Sequence, residues 1–194
     1  MKIDNRIISD WIRQGASVID LGCGDGELLS ILVQEKNVRA QGIEIDEQAI
    51  YECVAKGLSV LHEDFEAGLS GYPDDSFDYV VMNGSLQQVK KPDPVFREAL
   101  RVGKSLIVGF PNFSHYSSRF QILLRGKVPV TPSLPYHWYD TPNLHFLSIS
   151  DFADYCKLRG IRIQAFAFVG KGKRVRLLPN LFAENGLFLL SRRL

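Results

Sequence analysis

The segment Val18-Ile-Asp-Leu-Gly-Cys-Gly-Asp-Gly-Glu-Leu-Leu29 constrains this 194-residue chain more than any other. An apolar run over 17–21 gives way at once to Gly22, Gly24 and Gly26. A helical pattern then begins, with Leu28, Leu29, Ile31, Leu32 and Val33 at its apolar positions. Strand, glycine loop and helix in direct succession form a cradle where backbone N–H groups and a helix N-terminus face a bound molecule. Glycine suits the loop because a Cβ would block close approach and because such turns use positive φ angles.

The charges around the cradle narrow the ligand. The spacing is Asp-x-Gly-x-Gly-x-Gly, not the G-x-G-x-x-G of dinucleotide binders. Asp20 stands at the end of the strand, where a carboxylate repels a pyrophosphate and suits an ammonium or sulfonium. The run 38–44 reads as a second strand with Glu44 at its carboxyl end, a place from which an acid can accept both hydroxyls of a ribose. Asp46 competes less well, since alternation along a strand would turn it to the other face. A nucleoside that carries a cation and no phosphate is S-adenosylmethionine, with S-adenosylhomocysteine as its demethylated form.

The rest of the chain alternates strand and helix signals. An amphipathic lead helix is expected over 5–13, with strands over 17–21, 38–44, 58–62, 78–83, 105–110, 161–169 and 186–191. Helices are expected over 26–34, from Asp46 to about Gly57, over 92–101, and over 151–159 with Ser150 as cap. This pattern predicts a doubly wound, mostly parallel α/β sheet with helices on both faces. A short link before the last strand predicts a hairpin-like antiparallel return.

Composition supports a globular chain. Apolar residues make up 45% and charged residues 23%, and the length suits one domain over 1–194 with a sizeable core. A net charge of +1 argues against nucleic acid or an anionic membrane as partner. The basic run Lys171-Gly-Lys-Arg-Val-Arg176 reads as a solvated loop or edge strand. Cys23, Cys53 and Cys156 show no metal spacing, and no leader or bilayer-length apolar run is seen, so no metal and a cytoplasmic location are expected. Cys23 lies in the glycine loop as a small packing residue beside the cofactor.

At this point the chain resembles the class I S-adenosylmethionine-dependent methyltransferases. The matching residues are Asp20, Gly22, Gly24 and Gly26, then Glu44 in Gly42-Ile-Glu-Ile-Asp46, then Glu63-Asp64-Phe65 and Pro73-Asp-Asp-Ser-Phe-Asp78; Cys23, Ile45 and Asn83 are expected in the same cofactor site. The resemblance implies a Rossmann-like seven-stranded sheet of order 3-2-1-4-5-7-6 with strand 7 antiparallel. It also implies that Asp64 and Phe65 hold the adenine. Longer segments, among them Pro111-Asn-Phe-Ser-His115, Ser133-Leu-Pro-Tyr-His-Trp-Tyr-Asp-Thr-Pro-Asn143 and Asn185-Gly-Leu-Phe188, are similar to the MetW family of bacterial methionine-biosynthesis proteins. Members accompany a homoserine O-acyltransferase, acetyl- or succinyl-transferring, so the resemblance implies an accessory role beside that enzyme.

The connection 111–147 departs from a minimal domain. From Phe110 to Leu147 inclusive the chain holds five prolines, eight aromatics and three histidines, and a connection of that length is often functional. It reads as a lid, a docking surface or a self-packed cap. Catalytic candidates fall within it: Tyr136, His137, Tyr139 and His145, with His115, Tyr116 and Asp140 near them. After the fourth strand, Asn83-Gly-Ser-Leu-Gln-Gln-Val89 carries no acid, histidine or Asn-Pro-Pro-Tyr motif, which removes the usual amide- and base-methylating readings. Methyl transfer needs little beyond alignment, so an active methyltransferase on a small molecule stands as the alternative function.

Overall fold

The computed structural model describes residues 2–192. Eight strands lie in one sheet, in the order β3-β2-β1-β4-β5-β8-β6-β7. They are β1 (Ser17–Leu21), β2 (Arg39–Glu44), β3 (Val60–His62), β4 (Phe77–Asn83), β5 (Gly103–Pro111), β6 (Arg162–Gly170), β7 (Lys173–Arg174) and β8 (Asn185–Ser191). The first five are parallel, while β8 runs antiparallel between β5 and β6. Expected and observed orders agree once β7 is added. This two-residue edge strand falls in the basic run and pairs only with the end of β6. The return to β8 is longer than a hairpin, because it also contains the short helix α8 (Pro179–Phe182).

The central strands feed both faces because apolar residues fill successive positions, Tyr79–Met82 in β4 and Leu106–Val108 in β5. In β4, Val80 and Met82 join one core with Leu106, Val108 and Phe110 of β5. Helices α5 (Pro92–Val102) and α7 (Ile149–Leu158) cover it through Phe96, Ala99, Phe152 and Cys156. Tyr79 and Val81 point the other way, with Ile107 and Leu187, onto α1 (Ile3–Trp11) and α2 (Glu27–Lys36) through Ile7, Ile8, Leu29 and Leu32. Helix α3 (Glu47–Ala55) also lies on this side.

Several boundaries moved for local reasons. Helix α7 begins two residues earlier than expected, because Ser148, in a reciprocal capping box with Asp151, takes the place of Ser150. Asp46 does cap α3, accepting the Ala49 N–H at 2.8 Å. The connection 111–147 contains a helix that its prolines and aromatics concealed, α6 (Tyr116–Arg125), whose N-terminus is capped by His115. A further short helix, α4 (Phe65–Gly68), follows β3, and Asp64 caps it by accepting the Glu66 N–H at 2.9 Å.

Order along the sheet reverses at β1, which pairs with β2 on one side and β4 on the other. Loops leaving the carboxyl ends of these strands diverge there and open a crevice, the place where open α/β sheets bind ligands.

Candidate functional site

A cleft of about 430 Å³ opens at that reversal. Its walls come from four successive strand ends: Gly22 and Gly24 after β1, Glu44, Ile45 and Asp46 after β2, Glu63, Asp64 and Phe65 after β3, and Asn83, Gly84 and Ser85 after β4. Ala49, Gln88 and Tyr136 complete it. The charge of the cleft is one-sided. Four acids, Glu44, Asp46, Glu63 and Asp64, face the cleft, and among the described lining residues there is no lysine, arginine or histidine.

The backbone explains the glycines unequally. Gly22 takes φ +77°, and a Cβ on it would lie 2.8 Å from Ser85 Cβ, so the loop abuts the β4 turn only because the side chain is absent. Gly24 takes φ +54°, and a Cβ there meets nothing within 4 Å. Its missing side chain therefore keeps cleft volume free. Gly26 lies off the cleft wall, where a Cβ would meet Leu58 Cδ1 at 2.5 Å and Cys53 Sγ at 2.8 Å. It serves the packing of α2 against α3 and does not line the cleft.

Glu44 is held by the backbone around it. Oε2 accepts the Gly24 N–H at 2.8 Å, and Oε1 accepts the N–H groups of Ile45 at 2.8 Å and Asp46 at 3.0 Å. These bonds set the carboxylate at the rim and tie the β2 end to the glycine loop. Ile45 is 64% exposed beside it, an apolar surface facing a polar cleft. Asp46 also lines the cleft, contrary to the expected opposite face, because it lies beyond the last residue of β2 where strand alternation has ended.

Asp20 sits under the loop, not on the wall, and is 3% exposed. Its Oδ1 is buried with no hydrogen-bond partner. Burial, with the charge of Glu44 second, pushes its carboxyl up to about 7. An orphaned buried acid at a strand end is a costly arrangement, and one that a nearby cation relieves. Cys23 is also buried, and its Sγ lies 4.0 Å from that of Cys53. Among the described residues no group of three or more His, Cys, Asp or Glu is placed to hold a metal ion.

The candidates in the connection separate. Tyr136 reaches the cleft wall. His137 and Tyr139 stack on each other with ring centroids 5.3 Å apart, and neither lines the cleft. His145 borders a different, mainly apolar cavity of about 250 Å³ between α5 and α7. His115 is buried as the α6 cap, with burial pulling its imidazole down. The Leu144 and His145 N–H groups both donate to the Gln87 carbonyl, at 2.8 and 3.0 Å, fastening the connection to the turn that supplies Ser85 and Gln88. Sequence reasoning missed Ser85 and Gln88. The signal present was Asn83-Gly-Ser85, a turn directly after a buried strand.

A family model described as "Methionine biosynthesis protein MetW" matches residues 2–190. The bifunctional methionine biosynthesis protein MetXA/MetW of Rhodopirellula baltica is 31% identical over 205 residues, covering 99% of this chain and 33% of that protein. The chain thus spans about a third of the length of this relative. Among solved structures, a SAM-dependent methyltransferase from Archaeoglobus fulgidus superposes with a TM-score of 0.72 at 17% identity, over 96% of this chain and 90% of that one. The 4+2 cyclase SpnF superposes at 0.69 with 15% identity, over 98% and 80%. These likenesses establish the fold, a Rossmann-like methyltransferase fold, and one of the two proteins bearing it is described as a cyclase.

Proposed function

The chain belongs to the MetW family of methionine biosynthesis proteins, and from that premise we propose that it is an accessory subunit of homoserine O-acyltransferase whose cleft binds S-adenosylmethionine. The observation that carries the cofactor is the one-sided charge of the cleft. Four acids and no base on the wall repel phosphate-bearing nucleotides and favour a cationic nucleoside. Glu44 accepts the ribose hydroxyls, Asp64, Phe65 and Ile45 hold the adenine, and the glycine loop over Asp20 receives the methionine portion. When bound, S-adenosylmethionine supplies an electrophilic methyl on a sulfonium that is its own leaving group. Asp20 balances that positive charge from beneath the loop, and Gly24 leaves the space.

The acyltransferase partner is supported by the fused MetXA/MetW relative and by the surface of the connection. Trp138 is 73% and Tyr139 69% exposed, and Leu123 and Leu124 of α6 are more exposed still. Rigid aromatics on a surface of that apolarity suit a protein partner. S-adenosylmethionine lies downstream of acyl transfer, so its binding reports methionine status to the complex if the two complex states bind it unequally.

The test is acyl transfer to homoserine by the acyltransferase of the same organism, with and without this chain, together with calorimetric titration of S-adenosylmethionine. A rise in rate and saturable binding are expected. An unchanged rate would sink the accessory role, and absence of binding would sink the cofactor assignment. Methyl transfer to a small molecule is the second reading. The one observation in its favour is Tyr136 on the cleft wall, and loss of methyl transfer in Tyr136→Phe would support it.

A further inference from the structure

We infer that Cys23 and Cys53 form an oxidation-sensitive pair whose disulfide remodels the glycine loop and closes the cleft to its ligand. The inference rests on the reading of that cleft as the S-adenosylmethionine site. The two sulfurs are 4.0 Å apart, close to van der Waals contact, and belong to the two elements that define one side of the cleft. Cys23 stands inside the loop between Gly22 and Gly24, and Cys53 stands on α3, whose N-terminus begins directly after Glu44–Asp46.

Both thiols are built into the loop. The Cys53 S–H donates to the Gly24 carbonyl at 3.2 Å. The Cys23 sulfur occupies the space above Gly42, where a Cβ would lie 2.5 Å away. On its other side the Gly24 peptide donates its N–H to Glu44 Oε2 at 2.8 Å. A disulfide requires the sulfurs to close to about 2.05 Å. Drawing Cys23 toward α3 by that amount removes the Cys53 donor from Gly24 and pulls Gly24 away from Glu44. The residue proposed to hold the ribose then loses the bond that sets it.

Access comes from the weak seating of α3. Cys53 is the one buried residue of this helix, while Tyr51 and Val54 are 66% and 59% exposed. A helix held by a single buried side chain opens locally more readily than the sheet below it. Burial pushes both thiols up, which keeps them unreactive while α3 is seated. For Cys53 the nearby Lys56 charge works in the opposite direction, favouring its thiolate. Cys156 is buried in the other core, so it provides an internal reference.

The oxidant is a low-molecular-weight disulfide. Cys53 releases its proton and its thiolate attacks one sulfur of that disulfide, forming a mixed disulfide and expelling a small thiolate. Cys23, losing its proton in turn, attacks the Cys53 sulfur and expels the second. The protein is oxidised by two electrons, the small disulfide is reduced to two thiols, and those take up the two protons released.

The experiment equilibrates the whole chain in oxidised or reduced glutathione, then reads mass, disulfide-linked peptides, amide exchange in the loop and S-adenosylmethionine affinity. Expected are loss of two hydrogens, a Cys23–Cys53 linkage, one remaining titratable thiol, faster exchange at Gly22–Gly26, and affinity weakened about tenfold or more. Dithiothreitol restores each. Cys53→Ser, whose hydroxyl still donates to Gly24, binds like the reduced protein and ignores glutathione, whereas Cys156→Ser behaves like the parent. Failure to form the linkage overturns the inference, as does a linkage that leaves both loop exchange and affinity unchanged. A reduced protein that binds no S-adenosylmethionine overturns the cofactor reading instead, and mass and loop exchange still decide the disulfide.

Discussion

Two acids divide the work proposed for the cleft, and each makes a separable prediction. Glu44 lines the cleft and is held by three backbone N–H groups. Glu44→Ala is expected to weaken S-adenosylmethionine by about 1–3 kcal/mol, the usual penalty for unpairing a ligand's hydrogen bonds. Equal affinity in a calorimetric titration would remove Glu44 from the ribose. Asp20 acts through charge. Its carboxyl ionises near pH 7 in the free protein, and a bound cation favours the ionised form. Affinity is therefore expected to rise as pH climbs through about 7 and then level off, with proton release on binding below that point. The sign for stability is opposite. A folded value raised above the usual carboxylate range means the ligand-free protein loses stability between about pH 4 and about pH 7. Asp20→Asn should abolish the pH slope of affinity. A flat slope in the parent protein would show that Asp20 does not sense the ligand.

At the scale of elements, the sheet's cohesion at the opposite end from the cleft turns on Asp78. Its carboxylate accepts the Ser17 N–H at 3.0 Å and the Ser17 hydroxyl at 3.1 Å, and it pairs with Lys104 at 2.9 Å, so one side chain joins β1, β4 and β5. The Lys104 bond, followed by the Ser17 backbone bond, lowers its pKa to about 2. A depressed folded value gives stability that is present above about pH 4 and lost as pH falls toward 2. Asp78→Asn should cost about 2 kcal/mol at neutral pH and flatten the acid limb of a denaturation profile. An unchanged acid limb would show that the link is not formed in solution. Elsewhere the legibility of elements followed the reach of their signals. Strand ends were readable because apolar runs stop at glycine or polar residues. Helix α6 was not, since its helical pattern lay inside a proline- and aromatic-rich stretch that reads as loop. The cap of α7 was displaced because two serines, Ser148 and Ser150, precede the same run, and only the reciprocal bond with Asp151 distinguishes them.

At the scale of the whole molecule, the connection 111–147 joins the cleft to the outer surface. Tyr136 lines the cleft while Trp138, two residues on, is largely exposed. Trp138→Ala is expected to leave S-adenosylmethionine affinity unchanged and to weaken association with the acyltransferase by about 2 kcal/mol, the scale of an aromatic anchor at an interface. Retained stimulation of acyl transfer at limiting concentrations of this chain would place the docking surface elsewhere.

Residue order alone determined the alternation of strands and helices, the glycine cradle and its acids, because these depend on period, local backbone freedom and sign of charge. The cleft-lining set depended on assembly. Gly22, Glu44, Asp64 and Asn83 come from four strand ends that meet only because the sheet reverses at β1. The same three glycines acquired different jobs according to what lies opposite each: Ser85 against Gly22, open cleft at Gly24, Cys53 and Leu58 against Gly26. Burial of Asp20 and the meeting of Cys23 with Cys53 were likewise tertiary outcomes, since neither desolvation nor a contact across thirty residues leaves any trace in local spacing. Local rules specify what each segment can become, and packing specifies which of its atoms face the cleft.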